Sequence, residues 1–151
     1  MVVIKRTDAK NTDFQNLAKE LDQSLEVYYK EETSFYQILN SISEIKYAVV
    51  AYDHKGKAIG CGAFKEYSEK EVEIKRMFVP SSQRGKGIAT IILNELEKWA
   101  KGLDFNKTIL ETLKEKDYAI CFYKKNGYTI TPNFGDYISA ENSICFEKNI
   151  F

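Results

Sequence analysis

Histidine is almost missing from this chain: His54 is the single one. It lies in Asp53-His54-Lys55-Gly56, a run typical of turns. A Ser-His-Asp triad would have to use that one residue, which disfavours such chemistry. Cysteine is sparse too. Cys61, Cys121 and Cys145 are far apart and form no Cys-x-x-Cys pair. With so little clustering of His and Cys, no metal site is expected. An odd cysteine count without a secretory leader argues against a disulfide framework, and three buried thiols in a reducing compartment are expected. No stretch approaches the roughly 18 apolar residues of a membrane span. The first residues, Met1-Val2-Val3-Ile4-Lys5-Arg6, lack the apolar core of a secretory signal. A cytoplasmic protein without a membrane partner is therefore expected. Charge of one sign is also lacking, with 22 Lys+Arg against 22 Asp+Glu. That removes the usual electrostatic case for a nucleic-acid partner. Arginine is limited to Arg6, Arg76 and Arg84, and two of these fall in one short segment.

What is present suits an ordinary folded domain. A chain of 151 residues fits one domain, residues 1–151, and leaves no room for two. Apolar residues at 44% and charged residues at 29% exclude intrinsic disorder. Val2-Val3-Ile4 reads as a strand. Phe14, Leu17, Ala18, Leu21, Leu25 and Tyr28 repeat at helical spacing between Asn11 and Tyr29, with Asn11 or Thr12 as N-cap. Phe35, Ile38, Leu39 and Ile42 suggest a shorter second helix. Strands follow at Tyr47–Tyr52, Ala58–Lys65 and Val72–Val79, the first two joined by a turn over Asp53–Lys57. Gly60 and Gly62 mark a strand where something approaches the backbone closely.

A strong helix is expected from about Gly85 to Lys101, with its apolar stripe running on to Leu103. Thr108–Leu113 reads as a strand. Asp117 is expected to cap a helix that ends at Asn126 and Gly127. Tyr128–Thr131 and Ile144–Glu147 complete the chain as strands. Short connections in the middle predict antiparallel pairing, and the two later helices can act as crossovers. The fold class is α/β in the α+β sense: a mixed, mostly antiparallel sheet flanked by helices.

Two neighbouring segments carry chemistry. In Val72-Glu73-Ile74-Lys75-Arg76-Met77-Phe78-Val79 the apolar alternation slips by one residue near Lys75-Arg76. A β-bulge restores the buried face and frees nearby backbone groups; the plainer alternative puts Arg76 at a sheet edge. Next, Ser81-Ser82-Gln83-Arg84-Gly85-Lys86-Gly87 leads into the strong helix. Its glycines permit positive φ, and a helix N-terminus offers unpaired N–H groups and a positive dipole end. With Arg84 and Lys86 this makes a site for phosphate or pyrophosphate. The P-loop pattern is absent. A dinucleotide fingerprint is met only by Gly85 and Gly87, with Glu111 some twenty residues on, and the antiparallel stretch before it suits that reading poorly.

The chain resembles the GNAT superfamily of acetyl-CoA-dependent N-acetyltransferases. The resemblance rests on Arg84-Gly85-Lys86-Gly87-Ile88-Ala89, on Ile74 to Val79, and on Phe122-Tyr123-Lys124-Lys125-Asn126-Gly127-Tyr128. The element order agrees over nearly the whole chain. What the resemblance implies is a bulged central strand whose Met77, Phe78 and Val79 pair with pantetheine. It also implies that Arg84, Gly85, Lys86, Gly87, Ile88 and Ala89 hold pyrophosphate, with Gln83 and Thr90 at the margins. Tyr123 matches the family tyrosine that protonates the departing thiolate, against the alternative of plain aromatic packing. Lys116-Asp117 stands where relatives often have a cofactor-contacting Asn, so no cofactor role is carried there.

Glu73 is the candidate base, because an alkylammonium must lose a proton before it attacks. Its alternative is a solvated strand carboxylate paired with a neighbouring Lys, and Glu111 is the second candidate base. Tyr28, Tyr29, Tyr36, Phe134 and Tyr137 are candidates to line the acceptor cleft. The expected reaction is acetyl transfer to a primary amine of a small molecule or amino acid. The alternatives are a protein lysine or N-terminal acetyltransferase, and a non-catalytic acyl-CoA-binding module. A homodimer is expected as readily as a monomer.

Overall fold

The computed structural model describes residues 1–29 and 41–151, without the side chains of residues 27–29. The expected second helix rests on Phe35, Ile38 and Leu39, which lie outside the described residues. The elements are β1 (Val3–Thr7), α1 (Thr12–Tyr29), β2 (Tyr47–Tyr52), β3 (Ala58–Glu66), β4 (Glu71–Phe78), α2 (Ile88–Gly102), β5 (Lys107–Leu113), α3 (Asp117–Lys125), β6 (Thr129–Thr131) and β7 (Ser143–Asn149). Single 3₁₀ turns occupy Ser81–Gln83 and Gly135–Tyr137. The strands hydrogen-bond in the order β1-β2-β3-β4-β5-β7-β6. β4 and β5 pair parallel, which requires a crossover, and α2 supplies it. β1–β2, β2–β3, β5–β7 and β6–β7 pair antiparallel. The mixed, mostly antiparallel sheet matches the expected class.

The chain divides into two compact units, Met1–Lys65 with Lys75–Leu96, and Glu66–Ile74 with Glu97–Phe151. In the first, Asn11 caps α1: its Oδ1 accepts the Phe14 N–H at 2.9 Å, the N-cap to N3 bond of a well-formed helix start. The buried face of α1 sets Phe14 and Leu17 against Ile45, Ala48, Val50, Cys61 and Ala63. The β2–β3 turn forms on Asp53, whose Oδ1 accepts the N–H groups of Lys55 and Lys57 at 2.9 Å. Those backbone bonds lead the causes that hold its carboxyl below the usual range.

Gly60 and Gly62 alternate with Cys61 and Ala63 and so face the other side of β3. A Cβ on Gly62 would lie 2.6 Å from Met77 Sδ and 2.8 Å from Ile92 Cγ2. A Cβ on Gly60 would lie 2.9 Å from Ile92 Cδ1. The missing side chains are the space into which α2 packs. The close approach expected from these glycines is a helix.

In the second unit, β5 and β7 pair from Lys107↔Asn149 to Leu113↔Ser143. The C-terminus of α3 closes by paired backbone bonds, Gly127 N–H to Lys124 O and Tyr128 N–H to Tyr123 O. Gly127 is left-handed at φ +91°. This is the Schellman pattern, and its apolar contact is the Tyr123 ring 5.7 Å from the Tyr128 ring. Tyr128 then enters a buried polar knot. Its hydroxyl donates to Glu97 Oε2 at 2.8 Å and lies 2.8 Å from Thr108 Oγ1, while Lys148 Nζ donates to Glu97 Oε1 at 2.9 Å. Burial first, and the Glu97 charge next, push the Tyr128 phenol far up.

Three local expectations need correction. The helix expected from Gly85 begins at Ile88, because Gly85 and Gly87 have φ of +77° and +79° and cannot continue a right-handed turn. Leu103 lies beyond its end and is exposed. Asp117 is the first helical residue of α3, not its cap; Lys116 precedes it with no side-chain capping bond.

Gly62→Ala is expected to destabilise the protein by about 1–3 kcal/mol through overpacking against Ile92 and Met77. Tyr128→Phe should cost about 1–3 kcal/mol by leaving Thr108 and Glu97 each one partner short. Both are read by chemical denaturation, and a wild-type midpoint for either would contradict the packing described.

Candidate active site

The slip of alternation on β4 is found at Arg76, which has φ +59° in the middle of a strand. Such a conformation is rare for a non-glycine residue. Arg76 is buried, and the pairing of β4 with β5 covers only Glu71, Val72 and Glu73. Its Nη1 donates to Asp22 Oδ1 on α1 at 2.5 Å. Its Nε is, among the described residues, the one buried side-chain nitrogen or oxygen without a partner. Its carbonyl accepts the Cys61 thiol, with Sγ 3.4 Å away. Burial pushes that thiol up to about 12, and the Arg76 charge partly opposes it.

Beyond β4, Arg84 Nε donates to the Val79 carbonyl at 2.9 Å. This ties the loop back to the end of the strand. Lys86 Nζ donates to Gln83 Oε1 at 3.2 Å. Gly85 and Gly87 have nothing within 4 Å of where a Cβ would be. They are needed for their φ, not for room. The first α-type bond of α2 runs from Ile91 N–H to Gly87 O. The N–H groups of Ile88, Ala89 and Thr90 therefore have no acceptor within the helix. An exposed loop ending in such a turn suits a polyphosphate. Met77, Phe78, Val79, Gln83, Arg84, Gly85, Lys86, Gly87, Ile88, Ala89 and Thr90 all belong to the first unit.

The second unit contains a group of carboxylates and hydroxyls. Glu73 is 4% exposed, so it is not a solvated carboxylate. Its Oε2 accepts the Tyr137 hydroxyl at 3.0 Å. Glu111, opposite Cys145 in the β5–β7 register, accepts the Ser143 hydroxyl at 2.5 Å. Both carboxylates bear on the same neighbours. The Tyr137 phenol is pushed far up by burial, then by Glu73 and Glu111. The Cys145 thiol is pushed up to about 11, first by burial, with Glu111 and Glu73 adding to it.

Tyr123 is buried and raised by burial, then by Tyr118 and Glu111. It remains a protonated phenol at neutral pH. Its ring packs on Phe122 and Phe146. The two candidate bases thus share one group. Ser143 was not anticipated from the sequence, and Tyr137 was anticipated only as an aromatic wall. The Phe134-Gly135-Asp136-Tyr137 run was the available signal. The Tyr28 and Tyr29 side chains and all of Tyr36 lie outside the described residues.

Cys121 is exposed, which corrects the expectation of three buried thiols. Among the described residues no group of three potential metal ligands occurs, and no helix is long and apolar enough to cross a membrane.

Residues 14–128 match the Acetyltransferase (GNAT) family. An IAA acetyltransferase of Azospirillum brasilense is 28% identical over 148 residues, covering 97% of each chain. The structure of a Klebsiella pneumoniae protein assigned as an acyl-CoA N-acyltransferase superposes with TM-score 0.84 at 26% identity, covering 100% of this chain and 99% of that one. The PaiA N-acetyltransferase of Thermoplasma acidophilum, solved with coenzyme A, shares the fold at TM-score 0.73 and 19% identity, covering 99% of both chains.

At pH 8 a thiol with its pKa near 11 is thiolate in about one molecule per thousand, and Cys61 and Cys145 are fully buried. Iodoacetamide should therefore add one label to the native protein, at Cys121, and three after denaturation, read by intact mass. Rapid addition of a second label to the native protein would contradict the burial of these thiols.

Proposed function

Since the chain belongs to the acetyltransferase (GNAT) family and is an acetyl-CoA-dependent acyltransferase, we propose that its acceptor is the primary amine of a small molecule or amino acid. Attack on the thioester is direct, with no acyl-enzyme. The observation that carries the donor half of this reading is the left-handed break in β4 followed by the two-glycine loop that opens α2. Acetyl-CoA supplies an acetyl group activated as a thioester. The N–H groups from Gly85 to Thr90 bind its pyrophosphate, with Arg84 and Lys86 adding positive charge. Gln83 holds Lys86 in place. The backbone of Met77, Phe78 and Val79 pairs with the pantetheine amides. The Arg84 bond to Val79 O keeps the loop at the end of that strand.

Glu73 takes the proton that an ammonium must lose before it can attack. Glu111 keeps the neighbourhood negative and favours an ammonium at that place. Tyr123 gives a proton to the departing thiolate; its raised phenol makes it a donor at every working pH. The buried Glu73 carboxylate beside Tyr137, whose ring packs on Phe134 and through it on Tyr67, supports a small cationic acceptor.

Thermal unfolding with acetyl-CoA, CoA, NAD and ATP in parallel tests the donor site. A ligand at about 100 times its Kd adds roughly 2.7 kcal/mol, a shift of several degrees in a protein this size. Acetyl-CoA and CoA should raise the midpoint while NAD and ATP do not. A shift with NAD alone would overturn the loop assignment. A panel of free amino acids, polyamines, arylalkylamines and a lysine peptide, followed by release of free CoA, then tests the acceptor. Turnover confined to the peptide would overturn the small-amine reading. Tyr123→Phe should lower kcat at least tenfold with the acetyl-CoA thermal shift unchanged; wild-type kcat would remove its role as acid.

A further inference from the structure

The C-terminal segment does more than line a wall, and this deepens the reading of Glu73 as base, on which its catalytic meaning rests. We infer that Tyr137 is a positioning residue which orients the Glu73 carboxylate through its donated hydrogen bond, and that Asn133 fixes the loop delivering it. Tyr137 lies on the 3₁₀ turn Gly135–Tyr137, and its hydroxyl reaches Glu73 Oε2 across 64 positions of sequence. Both side chains are buried.

The turn has little freedom to withdraw. Asn133 Nδ2 lies 3.0 Å from Tyr137 O, 3.3 Å from Ala140 O and 3.2 Å from Ser143 O, one amide gathering three carbonyls of the loop. The Phe134 ring packs edge-on between Tyr67 and Tyr137, at 5.2 and 5.5 Å. Gly135 takes φ +53°, with its open side against Tyr67. A loop with this much internal bonding serves to place a side chain.

The electrostatic need is specific. A buried carboxylate is disfavoured in its charged form, and a donated hydrogen bond restores that form. Here two carboxylates, Glu73 and Glu111, both bear on Tyr137 and Cys145. The same segment answers both, Tyr137 donating to Glu73 and Ser143 to Glu111. Other titratable groups that share these neighbours are Glu111 on β5 and Cys145 on β7. Tyr137 is itself raised by burial and by both carboxylates, so it stays a protonated donor at every working pH.

The test is a ¹³C NMR titration of the glutamate carboxyls in the full chain, with Glu73→Gln used to assign the Glu73 signal. Tyr137→Phe, which keeps the ring, should raise the Glu73 midpoint by about one pH unit, the worth of one donated bond. Asn133→Ser, which keeps the hydroxyl but frees its loop, should move it in the same direction by less. If Tyr137→Phe does not fold, Asn133→Ser carries the test. An unmoved midpoint in the folded variant overturns the inference.

Kinetics separate this from the base assignment. With the amine that the panel identifies, the acidic limb of kcat/KM should disappear in Glu73→Gln and move to higher pH in Tyr137→Phe, with KM for acetyl-CoA unchanged. A wild-type limb in Glu73→Gln would remove Glu73 as base while leaving the carboxyl titration to decide on Tyr137.

Discussion

A charge placed in the middle of a sheet must be given a partner, and β4 carries buried Glu73, Lys75 and Arg76 within four positions. Desolvating each of them costs several kcal/mol unless hydrogen bonds or opposite charges compensate. Much of the surrounding structure is that compensation. Tyr137 is brought in for Glu73. Asp22, on α1, is brought in for Arg76. The left-handed turn of the backbone at Arg76 releases its carbonyl, which takes the Cys61 thiol. A strand built only to hold a sheet together would carry valine or isoleucine here. The charges in its place are why the proposed chemistry is organised around β4.

Glycine serves two different purposes in the first unit. At Gly60 and Gly62 the need is space, since any Cβ would collide with the buried face of α2. At Gly85 and Gly87 space is ample, and the need is positive φ. The two uses act on the same helix. The first pair lets α2 lie close on β3. The second pair lets the chain enter α2 with its first N–H groups left without an acceptor in the helix, and a polyphosphate can take such groups. Arg84 adds the third constraint by bonding the loop to Val79 O.

The second unit handles polar groups by enclosing them in shared networks. Thr108, Tyr128, Glu97 and Lys148 satisfy one another. The pairs Tyr137–Glu73 and Ser143–Glu111 follow the same logic nearer the proposed chemistry. The difference lies in what the loop holds ready. The Tyr128 knot is locked by the Schellman turn of α3 and by β5, and acts structurally. The Tyr137 loop is locked mainly by its own Asn133 and by edge-on rings, so its geometry can be tuned without unravelling a helix.

Features decided within a few residues were legible in the sequence. The cap at Asn11, the left-handed stop at Gly127, the break in alternation at Lys75-Arg76 and the two-glycine loop all follow from local sterics and hydrogen bonds. The class of fold followed from the order of these elements, as did the close approach at Gly60 and Gly62. Local pattern also misled. Ile88 and its successors made the helix look longer at its start, while the φ of Gly85 and Gly87 ended it there. Apolar counting could not tell the exposed Cys121 from its buried counterparts, because exposure depends on which face of α3 finds a partner.

Only the tertiary structure decided that β7 inserts between β5 and β6, and that insertion sets Cys145 opposite Glu111. Only the tertiary structure, likewise, paired Tyr137 with Glu73 and Ser143 with Glu111. The physical reason is range. Dihedral preference and capping act over a turn or two of chain, whereas the partner of a buried charge is chosen by which distant strand closes beside it.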